Sequence, residues 1–273
     1  MSPADHIANV HIYREPRCRA IDFEAVAAGI GEWLPRTAVT LRAPLLEGWL
    51  EKASAEDAEA LAMRLAEAKV RSFDRPARTG QRVLPGEVGY ELRRLQNRDG
   101  EVYGILYDAW LFTDAVRMLL PAAEARLENV HVIFTNQLIG TWDLADRRYH
   151  ARTVVCGAPS ILSTSGMVEA PARAPGYYLA RRSSEALGLQ EEEKMELARS
   201  YAGDCLRLDD PRLTDTAQGL VMQAVTYRLT GEPFCDDRDC RLFNAHWQSD
   251  LIRTQTGGGY CTRHAEMFAR LQA

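Results

Sequence analysis

Two short-spaced pairs of metal-ligand residues near the C-terminal end constrain this chain more than any other feature. Cys235 and Cys240 stand as C-x4-C, and Cys261 and His264 follow as C-x2-H across an intervening loop. Two such pairs joined by a loop are the usual grammar of a structural zinc site. Each pair grips the ion with one tight turn, and four protein ligands leave no open position for catalysis. The glycines at 257 to 259 let the backbone wrap close to the ion before Cys261. His246, spaced C-x5-H from Cys240, competes for the fourth ligand position; His264 is preferred because it chelates together with Cys261. The structural alternative is a group of buried thiols beside a surface histidine.

The remaining cysteines, Cys18, Cys156 and Cys205, are isolated and read as small buried apolar residues. No run approaches the ~20 apolar residues of a membrane helix. The first residues lack a basic start followed by an apolar run, so a cytoplasmic protein with reduced thiols is expected. A net charge of -5 offers no footprint for nucleic acid. The basic runs Arg71 to Arg82 and Arg147 to Arg152 are interrupted and read as solvated faces.

The chain opens as β-α-β: a strand at Val10 to Tyr13, a helix over Phe23 to Leu34 and a strand at Ala38 to Leu41. Ser54 and Asp57 predict a capped helix running to about Val70. Val102 to Phe112, Val130 to Thr135, Thr153 to Cys156 and Ser160 to Thr164 read as strands. Ser72 to Gly89 and Glu169 to Gly176 read as surface excursion and loop, and Glu191 to Tyr201 as a helix. Ala217, Leu220, Val221, Ala224 and Val225 trace the buried stripe of a helix from about Leu213 to Thr230, ended by Gly231. The expected fold is α/β, a mixed sheet flanked by helices with a C-terminal zinc-stabilised subdomain. Residues 1–100 would form an N-terminal β-α-β part and 101–273 the rest, with one continuous domain as the alternative.

This arrangement resembles the archaemetzincins, zinc metallopeptidases with the run H-E-x-x-H-x-x-G-x-x-H-C-x4-C-x-M and a second cysteine pair further on. The resemblance covers roughly residues 100 to 273. Gly231 takes the place of the family glycine, Cys235 and Cys240 the first pair, Leu242 the methionine, and Cys261 with His264 the last pair. Upstream, Val132 to Leu138, Val154 to Ala158 and Ile161 to Thr164 resemble the family's strands and T-x-x-L turn. Cys240 to Gln248, C-R-L-F-N-A-H-W-Q, is similar to an uncharacterised metallopeptidase-like branch. The resemblance implies a metzincin-like fold.

It also implies that the catalytic motif is degenerate. Ala224 and Val225 stand for the first histidine and the glutamate, Arg228 and Phe234 for the other two histidines. Paired histidines hold the catalytic zinc and the glutamate acts on its water, so none of these replacements supports that mechanism. Two functions of different classes follow. One is a zinc-binding pseudoenzyme that binds a peptide, a protein partner or a small acid without proteolysis. The other is an active hydrolase with a relocated site around His150 and Glu169, with His246 nearby. Arg147 to Arg152, Ser163 to Ser165 and Glu169 to Arg173 are the polar segments that could build such a site. A buried Arg228 would need a carboxylate partner, Glu169, Asp209 or Asp210 being the candidates; the alternative is that it snorkels from the helix end into solvent.

Overall fold

A computed structural model describes residues 6–97, 104–188, 190, 203 and 205–271. The helix expected over Glu191 to Tyr201 lies outside the described residues. Strands β1 (Asn9–Tyr13), β2 (Ala38–Arg42), β4 (Asn129–Thr135), β7 (Val154–Val155) and β8 (Ser160–Ser163) form a sheet in the order β2-β1-β4-β8-β7. Its pairings are parallel except at the edge, where β7 runs antiparallel to β8. A smaller sheet holds β3 (Leu106–Asp108), β5 (Leu138–Asp143) and β6 (Arg148–Arg152), in the order β3-β5-β6. The sheet is thus mixed and flanked by helices, as the sequence predicts. Because β1 lies between β2 and β4, the segments before and after residue 100 share the larger sheet.

Alternation along the strands sends Val10, Ile12, Val130 and Val132 to one face, where α1 (Phe23–Trp33) and the long helix Leu213–Thr230 cover them. Tyr13, Ile133 and Ile161 belong to the other face, against α3 (Ala55–Ala68) and α5 (Ala109–Arg117). Ser54 caps α3 in a reciprocal box with Asp57, its hydroxyl accepting from the Asp57 backbone N–H at 3.1 Å.

Three readings are corrected. Val102 to Phe112 is not one strand: β3 is short and α5 begins at Ala109. Asp108 stops the strand, because its carboxylate accepts from the Trp110 and Leu111 backbone N–H groups at 3.0 Å and so caps a helix. The excursion Ser72 to Gly89 runs into α4 (Pro85–Gln96), started by a proline at its first turn. Glu169 to Gly176 is a short link between α6 (Thr164–Glu169) and α7 (Pro175–Ala186), with Pro175 again opening a helix.

The layer under α3, α4 and α5 is pinned by a buried charge cluster. Glu91, fully buried, takes Lys69 Nζ at 2.7 Å, Arg94 Nε at 2.7 Å and the Tyr107 hydroxyl at 2.9 Å. Removing the carboxylate strands two cations in a dry layer. Glu91→Ala is expected to destabilise the fold by about 3–5 kcal/mol in denaturant titration. Replacing Glu91, Lys69 and Arg94 together by apolar residues is expected to recover most of that loss.

Candidate metal centre

The helix α8 (Leu213–Thr230) is buried nearly all round rather than along one stripe. Gly231 ends it in the left-handed conformation, φ 78°, where a Cβ would be strained. The chain then turns into the first cysteine pair. The Cys235 N–H donates to the Leu242 carbonyl at 2.9 Å, and the Cys240 N–H to the Asp237 carbonyl at 3.1 Å, closing a tight loop. Cys261 occupies the N-cap of α10 (Thr262–Arg270), so the C-x2-H spacing sets His264 on its first turn, beside Cys261. A Cβ at Gly258 would overlap the Thr254 carbonyl oxygen, which is why the approach to Cys261 runs through glycines.

The four side chains converge. Cys235 and Cys261 sulfurs lie 3.8 Å apart, Cys240 Sγ lies 3.6 Å from His264 Nδ1, and Cys261 Sγ lies 3.2 Å from it. A tetrahedral zinc with Zn–S of about 2.3 Å and Zn–N of about 2.0 Å needs sulfurs ~3.7 Å apart and sulfur–nitrogen separations of ~3.6 Å. The donor set and its spacing therefore fit zinc. One ligand atom from each of the four residues falls within 4.8 Å of the others. His246 is not in this group and lines a cavity instead.

Burial pushes the Cys240 thiol up to about 12 and raises Cys235. Cys261 moves the other way: burial acts against ionisation there, but the backbone N–H groups of His264 and Arg263 and the other two cysteines outweigh it. His264 is held neutral by burial and by the Arg263 cation, leaving a lone pair for an ion. The pairs are tied to α8 through Arg241, whose guanidinium donates to Gln218 Oε1 at 2.9 Å and to the Asp215 carbonyl at 2.8 Å.

The positions that resemble a catalytic motif are filled in. Ala224 is 1% exposed and Val225 0%, both inside the core between α8 and the larger sheet. Phe234 borders a cavity of about 300 Å³, together with Gln223, His150, Arg152, Asn244 and His246. Arg228 is half-buried, and its expected carboxylate partners are otherwise engaged. Asp209 pairs with Arg207 at 3.1 Å, Asp210 with Arg212 at 2.7 Å, and Glu169 is exposed at the end of α6. Among the described residues, the buried Arg228 Nε and Nη2 have no hydrogen-bond partner. The anticipated ion pair is therefore corrected: among the described residues no acid pairs with Arg228.

His150 and Glu169 likewise do not form a pair. The His150 Nε2 lies 2.8 Å from Asp146 Oδ2, without hydrogen-bond alignment, and Glu169 does not line the cavity. His150 sits on β6, whose alternation sends Tyr149 inward to donate to Asp108 Oδ2 at 2.8 Å. Of the isolated cysteines, Cys18 and Cys205 are buried as expected and Cys156 only partly so. A cluster that spacing did not reveal is His11, Glu124 and His131, brought together by strand register.

A model of the family described as "Probable metallopeptidase family (DUF6775)" matches residues 6–271. Among solved structures, the crystal structure of archaemetzincin from Methanopyrus kandleri aligns over 100% of this chain and 98% of that one. Its TM-score is 0.41 and its sequence identity 12%. No curated protein matches the chain.

The packing of α8 makes a concrete prediction. Replacing Ala224→His, Val225→Glu and Arg228→His together introduces a histidine and a carboxylate into close-packed apolar space. The triple variant is expected to lose more than about 3 kcal/mol in thermal or denaturant unfolding.

Proposed function

The chain belongs to this probable metallopeptidase family, and we propose that it is a zinc-stabilised member without the catalytic motif, holding a peptide, a protein segment or a small acid without cleaving it. The observation that carries this reading is the burial of Val225, at the position that resembles the family's glutamate. A general base must reach a metal-bound water in an open cleft, and this position reaches neither. Cys235, Cys240, Cys261 and His264 would hold zinc with all four positions taken by protein, a structural role. A cytoplasmic location would keep these thiols reduced and competent to ligate. Among the described residues no helix is long and apolar enough to cross a membrane.

The cavity beside α8 is the binding place in this reading. Its size suits a side chain or a small acid, and its walls combine an apolar floor with polar groups that fix orientation. Arg152 supplies a cation there; burial lowers its pKa, and its Nε donates to Thr141 Oγ1 at 2.8 Å. A carboxylate would be gripped by its free face. Trp247, partly exposed at the rim, is a natural reporter.

One observation favours a second reading, in which the chain is a hydrolase with a relocated site: His150 and His246 line the same cavity. The carboxylate nearest His150 is then Asp146 rather than Glu169.

Replacing Cys240 by Ser is expected to cost about one zinc ion per chain by elemental analysis and to lower the melting temperature by about 10 °C or more, since metal binding is folding energy here. Incubation with a mixed peptide library is expected to quench or shift Trp247 emission with no cleavage by mass spectrometry. Arg152→Met should weaken that binding about tenfold or more for acidic ligands. Cleavage products that vanish with His150→Ala or His246→Ala would establish the second reading instead.

A further inference from the structure

His11 and His131 stand opposite each other in register on β1 and β4, in the middle of the larger sheet. Their neighbours Val10, Ile12, Val130 and Val132 enter the core under α8, so both imidazoles project from the other face. The rings are buried, with centroids 5.0 Å apart. Central parallel strands are normally apolar on both faces, so two adjacent histidines there need a reason. Glu124, in the short 3-10 turn Ala122–Glu124 before β4, completes the group: its Oε2 lies 4.0 Å from His11 Nε2.

We propose that His11, Glu124 and His131 form a second divalent-metal site, separate from the cysteine cluster, which takes zinc or a chemically similar ion through two imidazoles and one carboxylate. One ligand atom from each residue already falls within 4.8 Å of the others. A tetrahedral ion with ligand bonds of about 2.0–2.2 Å needs them ~3.3 Å apart, so the triad tightens by about an ångström. Glu124 is the member free to do so, since its side chain is 27% exposed and it ends a short turn.

Two observations support the assignment beyond the clustering. Each histidine has its other ring nitrogen held, as ligating histidines do: His11 Nδ1 lies 2.6 Å from Thr40 Oγ1, and His131 Nδ1 lies 3.1 Å from the Tyr13 hydroxyl. Glu124 Oε1 accepts from Arg42 Nη2 at 2.9 Å, whereas its Oε2 is buried with no hydrogen-bond partner.

Two contacts compete, and both can yield. Arg42 Nη2 lies 3.3 Å from His11 Nδ1, and it keeps its Glu124 carboxylate partner when that nitrogen turns its proton to Thr40. His131 Nε2 lies 3.2 Å from the Glu124 carbonyl oxygen. That oxygen also accepts from Asn129 Nδ2 and the Arg126 N–H, each at 2.8 Å, so it stays satisfied when the ring turns to an ion. Two imidazoles and a carboxylate suit zinc and its neighbours and leave one coordination position for water.

The test counts metal on the full-length chain after dialysis against micromolar free zinc. The wild type is expected to retain about two ions, Glu124→Gln about one and Cys240→Ser about one, with His150→Ala and His246→Ala unchanged. A wild type retaining about one, a Glu124→Gln variant retaining as many as wild type, or loss of the second ion with His150→Ala or His246→Ala would each overturn the proposal. If Glu124→Gln does not fold, anomalous scattering at the zinc edge from zinc-grown wild-type crystals decides. A peak between His11, Glu124 and His131 supports the site, and a peak at the cysteines without one there refutes it.

Discussion

The packing of α8 against the larger sheet is the interaction on which the rest depends. Leu220, Val221, Ala224 and Val225 fill the space over Val132, Phe134 and Leu162, and α1 closes the same layer from the side. Everything that gives the C-terminal segment chemical interest hangs from that helix. Gly231 releases the first cysteine pair from its end, and Arg241 ties the pair back to its first half. The cavity takes Leu220 and Gln223 as its floor. A helix so placed holds Ala224 and Val225 in close-packed apolar space, where a polar group could enter only by opening the core.

Much of this was legible because the decisive signals are local. The apolar stripe and the glycine stop bound α8 at Leu213 and Thr230, and the close pairs Cys235/Cys240 and Cys261/His264 announce their own convergence. The opening β-α-β unit was legible for the same reason: alternation and helical spacing are properties of neighbouring residues. What sequence could not supply was context. An apolar aromatic run reads as strand or helix alike, and one carboxylate, Asp108, ends the strand and turns Ala109 to Phe112 into helix. The strand β6 hid in a basic run, where Tyr149 is buried, Arg148 faces water and the half-buried Arg152 donates to Thr141.

Long-range registers were invisible for a deeper reason. His11 is far in the chain from Glu124 and His131, and the parallel pairing of β1 with β4 is what brings it to them. Arg228 shows the opposite cause: periodicity gives its place on the helix, but which acids face it depends on loops that pair Asp209 and Asp210 with Arg207 and Arg212 instead. The positions of groups on one element follow from periodicity; which groups meet across elements does not.

The strand order carries a consequence for how the molecule is made. On the ribosome β1 and β2 emerge early and can pair, but the neighbour on the other side of β1 is β4, and the cover over that face is α8. Until most of the chain has been synthesised, Val10, Ile12, Val26 and Ile30 have only β2 and one another for cover. Such a topology delays its long-range contacts and leaves an apolar, half-paired sheet waiting in the meantime. The nascent N-terminal part is therefore the stretch most in need of a chaperone's hold, and it is released from that need only when the last third of the chain arrives to close over it.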